Sequence, residues 1–364
     1  MTKILEIKTK IQSFLKLDKR NLEFITLFIA ALIEKRTTNI NQLSNILNLQ
    51  VQKKSNARRT RRFLEKTCDW QTQIARWILS FYPGNLILSL DRTEWMIGKT
   101  PVNFLILALT IKSFSFPLVF VLLGKEGSSS TAEVIALLDE VKGWFEGHHV
   151  LLLADREFLS QGLLKYLRLK RLNFDLRLKK DAIVSYKGNS AKPKSWFANL
   201  KKGQGSWLKR KVWIYGEQVY LVGIRLEQPT EDGDDFVFVV TNACPKAALG
   251  LYSYRWGIEN LFQALKTRGF NFEATRVRCA TRLANLLSLL TMALFWAFQT
   301  GELISSRKPI RELAHGRLEH SVFRVGLDAL ERFLRGGLVE GASWVAVLAL
   351  FEFEFVGITS LDTS

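Results

Sequence analysis

The chain is 364 residues long and carries 52 Lys+Arg against 34 Asp+Glu, a formal charge of +18. That excess excludes a neutral metabolic enzyme as the default, and 48% hydrophobic residues with only 7 prolines exclude wholesale disorder. A cationic, foldable body of this length fits about two or three domains and a polyanionic partner, either nucleic acid or an anionic membrane surface.

The N-terminal stretch MTKILEIKTKIQSFLKLDKR has charges every few residues and lacks an apolar run followed by a small-residue cleavage site, so it does not read as an export signal. Residues 1–80 read as helical, with Leu22, Ile25, Ile29, Leu32 and Ile33 at three- and four-residue spacings. Within them a short helix, Asn41 to Leu47, and a turn precede a second helix bearing Lys53, Lys54, Arg58, Arg59, Arg61, Arg62 and Lys66. The pair resembles a helix-turn-helix with a basic second helix, and the alternative is a basic helix that merely faces water.

From Asn85 apolar runs alternate with loops. LILSL (86–90), FLILALTI (104–111), FPLVFVLLG (116–124) and VLLLA (150–154) read as strands, as does NFDLRL from Asn173. VIALLDEVKGWF (134–145) and LLKYLRLKRL (163–172) read as amphipathic helices. Hairpins followed by strand-helix alternation predict a mixed α/β sheet.

Residues 182–216 contain eight Lys or Arg and no acid, with Trp196, Trp207 and Trp213 interleaved. KVWIYG and QVYLVGIRL read as a β-hairpin, PTEDGDD as an exposed acidic loop and FVFVVTN as a strand. This stretch predicts a basic, β-rich insertion. Its tryptophans suit either stacking along a nucleic-acid backbone or the core of a small subdomain.

Helix returns after Leu251, and the charge-free run Leu283 to Gly301 approaches membrane-spanning length. Asn285, Ser288, Thr291 and Gln299 interrupt it, which favours a buried core helix. Cys68, Cys244 and Cys279 are far apart and show no CxxC spacing, so neither a disulfide framework nor a zinc site is readable, and a reducing cytoplasm is the simplest home.

Asp91 and Asp155 each follow a buried-type strand, and carboxyl ends of strands are where sites form. A third carboxylate, Glu259, lies in LYSYRWGIENLFQALK. On one continuous helix Tyr252, Arg255, Glu259 and Lys266 share a stripe about 60° wide, while Ile258, Leu261 and Leu265 face away and can be buried. Three converging carboxylates repel and need cations. Two Mg²⁺ ions about 3.5 to 4 Å apart would activate water on one side of a phosphodiester and stabilise the leaving oxygen on the other. The bland reading pairs Asp91 with Arg92, Asp155 with Arg156 and Glu259 with Arg255.

The spacing Y-x2-R-x3-E-x6-K at Tyr252, Arg255, Glu259 and Lys266 resembles the YREK signature of the IS4-type DDE transposases, and LSLDRTEW and LLADREF resemble that family's two aspartate regions. The likeness spans roughly residues 85 to 300. It implies an RNase H-like core with Asp91, Asp155 and Glu259 as catalytic metal ligands for two Mg²⁺ ions, Mn²⁺ substituting, and Tyr252, Arg255 and Lys266 as contacts to DNA phosphates. It further implies a homodimer on double-stranded DNA. Such a dimer cuts the terminal inverted repeats hydrolytically and joins the 3′-hydroxyls to target DNA by transesterification. Further DNA contacts are expected from Arg58, Arg59, Arg61 and Arg62 in the basic helix and from Lys201, Lys202, Lys209, Arg210 and Lys211 in the insertion.

The expected organisation is a helical DNA-binding region (1–80), a first core part (81–181), the insertion (182–235), a second core part (236–300) and a helical tail (301–364), in a cytoplasmic protein with no membrane span. The competing reading is a catalytically silent DNA-binding repressor derived from such an enzyme.

Overall fold

The computed structural model of the protein describes residues 2–47, 53–67, 69–230, 233–266, 268–314 and 316–352. Cys68, the turn at 48–52, Glu231 and Asp232 of the acidic loop and residues 353–357 of LFEFEFVG lie outside the described residues, as do the side chains of Lys53 and Lys54.

Five helices come first: α1 (Thr2–Gln12), α2 (Lys19–Lys35), α3 (Ile40–Ile46), α4 (Lys53–Leu64) and α5 (Trp70–Ser80). The sheet opens with β1 (Asn85–Ile97), β2 (Thr100–Ile111) and β3 (Phe114–Leu123). After α6 (Thr131–Val141), β4 (His149–Ala154), α7 (Gln161–Leu169) and β5 (Asn173–Arg177) complete its central part. The insertion supplies β6 (Val184–Tyr186), β7 (Asn189–Ala191), α8 (Pro193–Trp196), β8 (Gly205–Trp207), β9 (Val212–Ile214) and β10 (Glu217–Arg225), and β11 (Phe236–Thr241) closes the strand list. The chain ends in α9 (Pro245–Ser253), α10 (Trp256–Leu265), α11 (Ala280–Arg307), α12 (Val322–Leu334) and α13 (Trp344–Ala349).

These elements form two compact units. A helical unit holds the residues up to Pro83, the hairpin tip Ile97–Thr100 and the chain from Ala264 onward, and a sheet unit holds Gly84–Met96 and Pro101–Gln263.

In the sheet unit the strand order is β3-β2-β1-β4-β5-β11-β10-β9-β6-β7, with β8 pairing β10. β1, β4 and β5 run parallel, while β2–β3 and β5–β11 are antiparallel. An antiparallel meander joined to a parallel trio is the mixed arrangement expected of an RNase H-like core. Both sides of the central strands are covered, and accordingly β2 is buried almost throughout. The hairpins β6–β7 and β9–β10 turn on Lys187-Gly188 and Tyr215-Gly216, all four at positive φ. Two-residue turns of that kind match the right-handed twist of the strands they join.

The helical unit is organised by α11, which packs against α2, α4, α5 and α12. In α11's most apolar stretch 89% of the residues are buried, so it is the core helix its polar interruptions forecast. Those interruptions are satisfied internally. Asn285 Nδ2 donates to the carbonyls of Leu64 and Lys66 at 2.8 and 2.9 Å, capping the end of α4, and Thr291 Oγ1 donates to Leu287 O at 2.9 Å. Each fully buried leucine or phenylalanine here contributes about 1.5–3 kcal/mol. α12 crosses α11 at glycines: a Cβ at Gly326 would run into the Ala297 carbonyl, and one at Gly301 into that of Val322.

Two expectations need correction. β1 does not end at Leu90. It continues through Asp91 to Ile97, because RTEWMI alternates buried Thr93, Trp95 and Ile97 with exposed Glu94 and Met96. Nor do Tyr252 and Lys266 lie on one helix with Glu259. α9 stops at Ser253 and α10 starts at Trp256, and the joint is drawn tight by three-residue hydrogen bonds, Arg255 N to Tyr252 O at 3.0 Å and Ile258 N to Arg255 O at 3.1 Å.

Candidate active site

The parallel ladder of β1 and β4 ends with Leu90 opposite Ala154, so Asp91 and Asp155 emerge side by side from adjacent strands. Their carboxylates sit in different surroundings. Asp91 is 8% exposed; its Oδ1 accepts from the Arg92 backbone N–H at 2.7 Å and its Oδ2 from Arg255 Nη1 at 3.1 Å. Burial pushes the Asp91 carboxyl up to about 7 against the pull of Arg255, with the charges of Glu259 and Glu157 adding to the rise. Asp155 is more open and accepts from Tyr252 Oη at 3.4 Å and Arg177 Nη1 at 3.5 Å.

The α9–α10 joint brings the third group in. Tight three-residue hydrogen bonds bring residues three apart onto one side, so Tyr252 and Arg255 both reach the aspartates. Glu259 occupies the first turn of α10, where the helix dipole favours a carboxylate, and Arg255 Nη1 stands 3.5 Å from its Oε1. Arg255 therefore lies between Asp91 and Glu259 with only 12% of its side chain exposed. Burial alone would lower the proton affinity of its guanidinium, but Tyr252, Asp91, Asp155 and Glu259 together raise it. Burial likewise raises the Tyr252 phenol, with Arg255 acting in opposition.

Asp91, Asp155, Glu259, Tyr252 and Arg255 thus converge within the sheet unit. Lys266 directly follows the last residue of α10, and its carbonyl accepts from Asn271 N at 2.8 Å. Ile258, Leu261 and Leu265 are fully buried, as their positions forecast.

Two residues missed by the sequence reading, Arg177 and Glu157, also belong to this cluster, together with Arg92, which that reading had set against Asp91. Arg177 ends β5 beside Asp155. Glu157 pairs with Arg92, Oε2 to Nη2 at 3.6 Å, and Arg92 Nη1 donates to the buried Asn103 at 3.4 Å. Only the neighbourhood of Arg92 and Glu157 to the two aspartates in LSLDRTEW and LLADREF signalled them. Of the bland pairings, Glu259 with Arg255 holds, while the Arg156 guanidinium pairs with Asp234 at 3.2 Å.

Among the described residues no three His, Cys, Asp or Glu side chains stand close enough, as placed, to hold a metal ion. The donor chemistry nevertheless fits a hard divalent cation: Asp91, Asp155 and Glu259 offer only carboxylate oxygens, and the raised Asp91 marks a carboxylate in want of positive charge.

The outlying basic residues are where a polyanion could meet them. Arg58, Arg59 and Arg62 are exposed on α4, while Arg61 Nη2 donates to Asn41 Oδ1 at 3.0 Å. α3 and α4 pack together, with Asn56 Nδ2 donating to Ser44 O and Leu47 O at 3.3 Å each. Lys201, Lys202, Lys209, Arg210 and Lys211 are all exposed. The insertion's tryptophans divide: Trp207 and Trp213 are exposed, whereas Trp196 is half-buried edge-on to Tyr186.

Residues 83–296, more than half of the chain, match the model of the transposase DDE domain family. The chain belongs to that family. No curated protein sequence matches it. A solved structure, a piggyBac transposase synaptic complex with hairpin DNA, aligns at 12% identity over 92% of this chain and 77% of that one with a TM-score of 0.42.

Proposed function

We propose that the protein is the transposase of an IS4-type insertion sequence, cutting the element's terminal inverted repeats and joining the freed 3′-hydroxyls to target DNA. The observation that carries this reading is the emergence of Asp91 and Asp155 side by side from one ladder, with Arg255 drawing Glu259 toward them. Asp91, Asp155 and Glu259 would hold two Mg²⁺ ions. When bound, these supply a nucleophilic water or hydroxyl and charge stabilisation of the leaving oxygen. Tyr252 and Arg177 orient Asp155, and Arg255 holds Asp91 and opposes the rise that burial imposes on it.

Tyr252, Arg255 and Lys266 contact phosphates, α4 reads the repeat ends through Arg58, Arg59, Arg61 and Arg62, and the insertion (182–235) grips the backbone through Lys201, Lys202, Lys209, Arg210 and Lys211. The acting form is a homodimer in the cytoplasm, bound to nucleoid DNA. A catalytically silent, DNA-binding repressor is the second reading, favoured by the position of Arg255 between two of the three carboxylates.

The test uses duplexes carrying the inverted repeats that flank the gene. Wild-type protein nicks the repeat end in Mg²⁺ and stops in EDTA. Asp91→Asn, Asp155→Asn and Glu259→Gln each lower cleavage by about 10³-fold or more, retain gel-shift binding, and are no worse when combined. Wild-type binding without cleavage establishes the repressor reading instead, and absence of both rejects each.

A further inference from the structure

α10 rests closer to the sheet than any side chain at Gly257 allows. A Cβ there would stand 2.9 Å from Ser115 Oγ, 2.9 Å from Thr110 Cγ2 and 3.2 Å from the Phe114 carbonyl carbon. Glycine is not required by the backbone, since Gly257 is absent from the positive-φ glycines, and in a helix it is the least favourable residue after proline. Closeness is therefore the physical reason for a glycine at this point.

What it approaches is buried and hydrogen-bonded. Ser89 on β1, Thr110 on β2 and Ser115 on β3 are buried, and their hydroxyls form a continuous row, Ser89 Oγ to Thr110 Oγ1 at 2.7 Å and Thr110 Oγ1 to Ser115 Oγ at 2.7 Å. The same part of α10 is tied down by Asn260 Nδ2, which donates to Ser113 O at 2.6 Å. One end of the row is Ser89, two residues before Asp91 and on the same side of β1. Its other end lies under Gly257, which stands midway in sequence between Arg255 and Glu259.

We propose that Gly257 is a positioning residue: by admitting the hydroxyl row against the helix, it sets the height of α10 over β1–β3 and so the reach of Arg255 and Glu259 to Asp91. A methyl group at 257 lifts the first turn of α10. The lift is a fraction of an ångström, and misplacement on the order of 1 Å can cost a catalytic constellation about 10²-fold.

The inference rests on the DNA-cleaving reading above, and its test separates the two. Cleavage and gel-shift binding of the inverted-repeat duplex are measured for wild type, Gly257→Ala, the double variant Thr110→Ser/Ser115→Ala, and the triple variant combining all three. Thr110→Ser removes Cγ2 and Ser115→Ala removes Oγ, the two nearest side-chain atoms. Gly257→Ala should lose at least 10-fold in cleavage with binding changed less than 3-fold, and the triple variant should return to within 3-fold of the double variant. Full activity of Gly257→Ala overturns the proposal, as does failure of the relieving substitutions to restore a variant that is inactive or unfolded. A wild-type protein that cannot cleave counts against the transposase reading itself.

Discussion

Glycine brings backbone against its neighbours in both units, but to different ends. In the helical unit Gly301 and Gly326 let α11 and α12 meet carbonyl to backbone, amid leucine and phenylalanine, and nothing there can give way. In the sheet unit Gly257 meets the Ser115 hydroxyl, the Thr110 methyl and the Phe114 backbone, and that unit takes polar groups out of water: Ser89, Asp91, Thr110, Ser115, Asp175 and a nearly buried Arg255. The first region is built for cohesion. The second gives up cohesion to hold charges in place, since buried polar groups stabilise only when every one is partnered.

The contrast is broken most forcefully at α11–α12. Gly326→Ala has no rotamer with which to avoid a carbonyl, so overpacking should cost about 3 kcal/mol or more and lower the melting temperature by about 6–12 °C or prevent folding. Calorimetry checks this.

Next comes Arg255→Ala, which leaves Asp91 buried without its cation. Removing one partner of a buried pair costs about 3–5 kcal/mol, so both stability and cleavage should fall, and Arg255→Lys should recover part of each. A normal melting temperature would show that Asp91 has another partner in solution.

Asp175 sharpens the comparison by pH. It is 1% exposed, its Oδ2 lacks a hydrogen-bond partner, and burial pushes its carboxyl up to about 7 against a hydrogen bond from Thr241. The folded state thus holds a proton that the unfolded chain releases near 4, and stability declines as pH rises from about 4 to about 7. Asp175→Asn removes that decline, so its melting temperature should exceed that of wild type by several degrees at pH 8 and by little at pH 4.5.

The smallest effects belong to the exposed cations. Neutralising Arg58, Arg59, Arg61 and Arg62 should reduce the preference for repeat ends over random DNA, whereas neutralising Lys201, Lys202, Lys209, Arg210 and Lys211 should weaken all DNA about equally and flatten the salt dependence. Competition gel shifts at two salt concentrations distinguish them. Equal loss of repeat-end and random-DNA binding from the α4 variant removes the recognition role from that helix.

Much of this was legible because it is local. Apolar runs such as 104–111 and 150–154 became β2 and β4, and the polar interruptions of α11 correctly spoke for a core helix. Asp91, Asp155, Arg255 and Glu259 could be picked out by type and spacing, yet how they meet could not. The end of β1 was misplaced because Asp91 itself is polar but buried, and alternation resumes only beyond it. The break at Ser253–Arg255 carries no proline or glycine, so nothing in the letters distinguishes tight three-residue turns from continuing helix. Arg177 and Glu157 owe their places to strand register, which pairs residues far apart in sequence. Gly257 carried no signal in the sequence, because what explains it, its distance to Ser115 and Thr110, is set by tertiary packing.

The bond between Arg255 and Asp91 spans 164 residues of chain. A ribosome adding about 5–20 residues per second therefore releases Asp91 roughly 8–33 s before the arginine that neutralises it exists. In the later part of that interval, once β4 (His149–Ala154) has been made, β1 and β4 can pair, but Asp91 must either stay wet or take up a proton. The site is thus completed only by the segment that leads into the helical unit, and a chain cut short between residues 155 and 255 carries both aspartates without the arginine that holds Asp91.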